Sequence, residues 1–238
     1  MSASAPSSSD PRESTPRTAA LVLSSFGLTP EQLDRVRWLG ELESVDPSVL
    51  VHEFYRWLQS RPRFASFFGG GIPDWVRGAQ TQYWREFLRA NVDDAYVASR
   101  LSVGATHARI ELSPEAYSTS MAFCQRWLFE RLERAELEPA DTRATAAAVA
   151  ALCQLDSALV MEAYSEHSRR RTEAESRKSA AILDEVSRVM SEASSGNFEV
   201  RYAVQVEADA PLAEAVNQMI EGVATTIRQA KAIAAGDL

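Results

Sequence analysis

Val92-Asp93-Asp94-Ala95-Tyr96-Val97-Ala98-Ser99-Arg100-Leu101-Ser102-Val103-Gly104-Ala105-Thr106-His107-Ala108-Arg109-Ile110-Glu111-Leu112-Ser113-Pro114-Glu115-Ala116-Tyr117 is the stretch whose reading decides the fold. Asn91–Asp94 is a short link into a helix expected from about Ala95 to Arg109. Ser113-Pro114-Glu115 opens another, running to about Arg134. The logic is that of Thr29-Pro30-Glu31-Gln32 upstream: a hydroxyl cap, proline where no amide proton is needed, then an acid near the positive helix end.

Outward from this block, helical periods dominate. Pro47–Gln59 places Leu50, Phe54 and Leu58 on one face, with Val51 and Tyr55 beside them. Gly69-Gly70-Gly71 breaks the chain. Asp74–Ala90 carries Val76, Gln80, Tyr83 and Phe87 in one stripe. Pro139-Ala140-Asp141 opens a very long helix through the Ala-rich Thr145–Ala151 and past Tyr164. No period-2 strand stands out between Ala19 and Arg170, so this half is expected to be all-α, with six to eight helices.

Beyond Tyr164 the pattern changes. Ser165–Lys178 is almost wholly polar and dense in Arg and Glu, a helical linker with little to bury. Ile182, Val186, Val189 and Ala193 then recur at gaps of four and three, a coiled-coil seam. Ser194-Ser195-Gly196-Asn197 ends that helix. Phe198–Asp209 is non-helical, with apolar Phe198, Val200, Val204 and Val206. After Pro211 the seam restarts at Leu212, Val216, Met219, Val223, Thr226, Ala230 and Ile233.

Composition narrows the functional classes. The 238 residues carry a net charge of −8, which disfavours a broad nucleic-acid-binding face. The two cysteines, Cys124 and Cys153, have no metal-ligand spacing and read as small apolar residues in a reducing cytoplasm. No apolar stretch is expected to reach the roughly 18 to 20 residues that span a bilayer. Met1–Thr18 is rich in Ser, Pro and Ala, without a basic cluster or long apolar run, and reads as a disordered tail.

Of three histidines, His167 falls in the polar linker and His52 three positions before Tyr55; both read as surface residues. His107 follows Val103 and Gly104 on its own face. A glycine one turn earlier removes bulk where a flat ligand would approach. By residues alone His107 reads either as a hydrogen-bonded core histidine or as a metal ligand. No catalytic Ser, Cys or carboxylate pair shares its neighbourhood.

The opening stretch resembles the proximal region of the globin-coupled sensors, with its acidic pair, aromatic, Arg, small and apolar run to His, then Ile, Leu, Pro and Tyr. Phe54-Tyr55 resembles the family's Phe-Tyr pair, and Leu155-Asp156 with Ala163-Tyr164 the end of its last globin helix. The matches run in order from about Leu28 to Tyr164. The resemblance implies a globin fold holding haem b. His107 would be the proximal iron ligand, Tyr55 the distal phenol that hydrogen-bonds bound gas, and Tyr117 a neighbour of the proximal imidazole. Val76, Gln80, Tyr83, Val103 and Gly104 would complete the pocket. O2 is the expected axial ligand, with CO and NO as others. Two departures stand out. Glu111 replaces a frequent Gly, and Ala79 falls where some members carry a second distal hydroxyl, leaving Gln80 as the substitute donor.

The C-terminal part resembles a HAMP module, with Ser195-Gly196-Asn197-Phe198 as the turn after its first helix and Leu212–Met219 as the start of its second. Ala210-Pro211 departs from the usual acidic-apolar-Gly triplet. The resulting organisation is tail 1–18, sensor globin 19–164, helical linker 165–180, HAMP-like unit 181–231 and, at 232–238, the start of a possible second unit. It implies a bacterial, cytoplasmic signalling protein without a membrane span or nucleic-acid partner, homodimeric through its last two globin helices and a HAMP-like four-helix coiled coil. Its output lies outside this segment: a methyl-accepting module, a histidine kinase or a cyclase. The alternatives are a haem-free sensor-globin scaffold and an O2-dependent NO scavenger.

Overall fold

The computed structural model describes residues 18–65 and 71–236. Its described regular elements are helices: α1 (Ala19–Phe26), α2 (Pro30–Gly40), α3 (Pro47–Gln59), α4 (Pro62–Ala65), α5 (Asp74–Arg89), α6 (Asp94–Arg109), α7 (Pro114–Glu133), α8 (Pro139–Ser194) and α9 (Ala210–Ala235). A 3-10 turn at Glu207–Asp209 precedes α9, and no strand occurs among the described residues. The chain divides into two compact units, residues 1–167 and 168–238.

In the first unit, side chains at the helix starts take up orphan amides. Thr29 and Gln32 form a reciprocal capping box at α2, and Ser113 accepts from the Ala116 amide at α7. The two acids of Asp93-Asp94 have separate tasks. Asp93 caps α6 by accepting from the Tyr96 amide, and Asp94 accepts from the Ala19 amide at 2.7 Å, fixing the start of α1. Thr18 therefore belongs to the fold as the cap of α1, not to the tail; the rest of that tail lies outside the described residues. Gly69 and Gly70 of the glycine break lie outside them too.

The apolar stripes meet in one core, with Leu39, Leu50, Phe87, Leu128, Leu152 and Leu155 fully buried. Cys124 and Cys153 are buried and free, as fillers of helix faces. The expectation that no apolar run reaches membrane-spanning length needs correction: α8 contains an 18-residue window long and apolar enough, half of it buried inside the fold. Burial of Leu152, Leu155, Leu159 and Val160 accounts for that composition in a core helix.

α6 ends in a turn that explains Glu111. Its amide donates to the Ala108 carbonyl at 3.1 Å, and the Leu112 amide to the His107 carbonyl at 3.0 Å. This closure requires a left-handed residue, and Glu111 adopts φ 56°. The chain thus makes the turn a glycine would make, with a side chain that tolerates it less.

In the second unit, α8 ends where the Ser194–Asn197 signal put it. Gly196, at φ 96°, lets its own amide reach the Ala193 carbonyl and the Asn197 amide the Glu192 carbonyl. The connector is pinned by side chains. Asn217 accepts from the Tyr202 amide and donates to its carbonyl, while Asp209 accepts from the Tyr202 hydroxyl and the Gln205 amide. The small core comprises Val189, Val200, Tyr202, Ala213, Val216 and Ile220. This differs from the seam expected on α9. Of that seam only Val216 is buried, whereas Leu212, Met219, Val223 and Ile233 are exposed. In the connector Val200 is buried but Val204 is exposed.

Candidate functional site

A cavity of about 430 Å³ lies in the first unit, within the usual range for a small-molecule or cofactor site. Four helices supply most of its wall. Phe54, Tyr55 and Leu58 come from α3; Val76, Gln80, Tyr83 and Trp84 from α5; Val103 and His107 from α6; Ala116, Tyr117 and Met121 from α7. Trp75 and Ile110, both largely exposed, also line it. The wall is predominantly apolar and aromatic, with a few polar groups facing one space.

Among those polar groups is His107. Its position follows from the α6 register: Val103 lies four residues earlier on the same face and lines the same cavity. Burial pushes the imidazole pKa below its ordinary 6.5, so the ring is neutral at pH 7. Nδ1 is buried without a hydrogen-bond partner. A neutral imidazole in an apolar cavity is a suitable donor for iron or another transition metal. His52 and His167 are exposed and away from this space.

Tyr55, almost fully buried on α3, has its phenol pushed up to about 12 by burial, against the opposing pull of Arg77. The Arg77 guanidinium stands 5.4 Å from the ring centre. The hydroxyl therefore keeps its proton and can donate it. Tyr117 packs near His107, ring centres 5.8 Å apart at 54°. Its hydroxyl is buried beside Tyr83 without a bond of ordinary geometry, and burial drives its pKa upward. Trp84 Nε1 is a further buried, unpaired polar atom in this wall.

The expected residues Tyr55, Val76, Gln80, Tyr83, Val103, His107 and Tyr117 line the cavity together, as does Ala79. Gly104 does not, and its expected role is corrected. A Cβ there would come within 2.6 Å of the Val160 carbonyl oxygen and 2.7 Å of the Ala163 Cβ. The glycine lets α6 lie against α8; it does not clear space for a flat ligand.

A polar cluster behind the cavity escaped the sequence reading. Asp156, fully buried on α8, accepts from the Tyr83 hydroxyl at 2.8 Å, the Tyr96 hydroxyl at 2.6 Å and Arg100 Nε at 3.0 Å. Arg100 is also fully buried; it donates to Glu86 and to the Tyr83 carbonyl, with its guanidinium 4.0 Å from both tyrosine ring centres. Burial raises the Asp156 pKa despite the opposing effects of Arg100 and the hydroxyls. The signal was present as one charge inside the apolar run Ala146–Val160 and one on the face shared by Tyr96, Arg100 and Gly104. Each is intelligible only with the other.

Comparison with known proteins places this arrangement. Residues 17–170 match the protoglobin family, and the chain belongs to that family. The globin domain of the Geobacter sulfurreducens globin-coupled sensor superimposes with a TM-score of 0.58 at 16% identity, over 62% of this chain and 98% of that one. The globin domain of Escherichia coli DosC, in a ferric form, gives 0.51 at 16% identity, over 60% of this chain and 99% of that one. At such identity the likeness establishes the globin fold. No curated protein matches the chain.

Proposed function

We propose that the first unit is a haem-based gas sensor. The observation that carries this reading is the neutral His107 imidazole facing an apolar cavity of about 430 Å³ walled by aromatic side chains. The family membership and the ferric state named for the DosC domain support it. His107 would hold haem b through Nε2, and Tyr55, with Gln80 as the second donor, would stand over the gas side. Bound haem iron supplies reversible binding of O2, CO or NO. The residues bias that choice: a protonated phenol donates a hydrogen bond, which stabilises a polar bound O2 more than CO.

The same reading assigns the second unit to signal relay as a HAMP-like module in a cytoplasmic homodimer, leading to an output outside this segment. Its exposed Leu212, Met219 and Val223 are an apolar face on α9 that a second copy would cover. Titrating purified protein with haem tests the core of the proposal. Wild type should develop a sharp Soret band at one haem per chain, and His107→Ala should lose stoichiometric binding. A wild-type protein that takes up no haem would establish the haem-free scaffold instead. In Tyr55→Phe, O2 should dissociate faster, with CO changed much less; equal changes in both gases would remove Tyr55 as the donor.

A further inference from the structure

His107 Nδ1 and the Tyr117 hydroxyl are both buried and unpaired, and both belong to the cavity wall. Beside them is a third group whose proton is already committed: the Tyr83 hydroxyl donates to Asp156 Oδ2 at 2.8 Å. The order in space is His107, then Tyr117 with its ring centre 5.8 Å away, then Tyr83 adjacent to Tyr117, then Asp156.

Hydrogen-bond polarity allows one way of joining them. An imidazole that gives Nε2 to a metal carries its proton on Nδ1 and must donate there. A phenol can accept one bond while donating another. The Tyr83 proton points to a carboxylate, which can only accept. The consistent chain therefore runs from Nδ1–H to Tyr117 Oη, from the Tyr117 O–H to Tyr83 Oη, and from the Tyr83 O–H to Asp156 Oδ2. It pairs both orphaned groups and leaves no donor facing a donor.

We propose that Asp156 is a positioning residue for His107, acting through this chain of two tyrosine hydroxyls. The proposal rests on haem ligation by His107 as argued above. Its physical content is that an ionised carboxylate at the far end polarises each hydroxyl in turn, making the last a better acceptor for Nδ1–H. A better acceptor makes the imidazole a stronger iron donor. Three donors converge on that end, the Arg100 Nε and the Tyr83 and Tyr96 hydroxyls, and they favour its anionic form against the opposing effect of burial. The orienting partner of the proximal ligand then belongs to α8 rather than to α6.

Tyr96 provides the control. Its hydroxyl also donates to Asp156, at 2.6 Å, but it does not line the cavity and leads away from His107. The experiment is resonance Raman measurement of the iron–histidine stretch in the ferrous haem-loaded full chain, with the haem reduction potential measured alongside. Tyr83→Phe keeps the ring under Arg100 and removes only the hydroxyl. It should shift the stretch to lower wavenumber and raise the potential, and Asp156→Asn should move both in the same direction. Tyr96→Phe should leave both at the wild-type values. An unshifted stretch in Tyr83→Phe would overturn the chain. So would equal shifts in Tyr83→Phe and Tyr96→Phe, which would mean that only packing around Asp156 matters. A wild type that takes up no haem would instead overturn the proposed function, so the two failures are distinct.

Discussion

At the scale of single residues, the cavity joins groups whose cost is visible without any ligand. His107 is held neutral by burial, so its folded pKa lies below the ordinary 6.5. As pH falls through 6.5, the unfolded chain takes up a proton that the folded chain refuses, and stability falls. Above pH 6.5 both states are neutral and the effect vanishes. The haem-free protein should therefore show a urea midpoint that falls as pH drops below about 6.5, and His107→Gln should flatten that part of the profile. An unchanged slope in the variant would show that His107 is not the group responsible. Glu111 is a second residue at odds with its place. With φ at 56°, Glu111→Gly should raise stability by about 0.5–1 kcal/mol, less what its side chain contributes by its own contact. Thermal unfolding of the two proteins checks the sign. Asp156 belongs at this scale too. Asp156→Ala removes the buried one of the two carboxylates paired with Arg100, leaving only Glu86, and should cost about 3–5 kcal/mol, read from denaturant unfolding.

At the scale of helices, the contact of α6 with α8 is set by one missing side chain. Gly104 lies in the interior of α6, where alanine is ordinarily favoured by about 1 kcal/mol. Here a Cβ meets a backbone carbonyl oxygen at 2.6 Å, and backbone cannot swing aside as a side-chain tip would. Gly104→Ala should therefore destabilise by about 1–3 kcal/mol. Gly78 is the matched comparison: it lies inside α5 with nothing near its missing Cβ, so Gly78→Ala should stabilise by about 1 kcal/mol. Opposite signs in parallel urea titrations would establish that the first glycine is there for close approach. The pair also shows what sequence can convey. Helix starts were legible because caps act within four residues: Thr29, Ser113 and the Ser194–Asn197 stop all function where expected. The cavity residues on α3 and α5 were legible as apolar stripes carrying a few polar members, and Tyr117 on α7 only through the family resemblance. Gly104 was misread because a glycine facing a ligand and one facing a helix look alike in one dimension. Arg100 and Asp156 each carried the family resemblance, but their pairing was hidden for the same reason, the two being 56 residues apart.

For the molecule as a whole, the second unit poses the remaining question of what covers its apolar surface. The seven-residue spacing from Leu212 to Ile233 reads as one seam, yet the chain buries a face of α9 that shares only Val216 with it: Ala213, Val216, Ile220 and Ala224. Both observations hold if α9 uses two faces, one against its own α8 and connector and one against a second copy. α8 shows the same division, with Val189 buried while Leu183 and Met190 are exposed. Two apolar faces on each of two helices are what the proposed four-helix arrangement of two chains would cover. The intrachain core of Val189, Val200, Tyr202, Ala213, Val216 and Ile220 is independent of the exposed face, so the two can be tested separately. Met219→Asp places a charge on the exposed face and should convert a dimer to monomer in sedimentation velocity while far-ultraviolet circular dichroism stays helical. Ala213→Asp should instead unfold the second unit. Single cysteines at Val223 or Met190 should form intersubunit disulfides, because the native Cys124 and Cys153 are buried and out of competition. Rates of cross-linking that differ with and without bound gas would make the bundle part of the signal. Wild-type protein that sediments as a monomer at micromolar concentration would leave the exposed face without its partner and remove the relay.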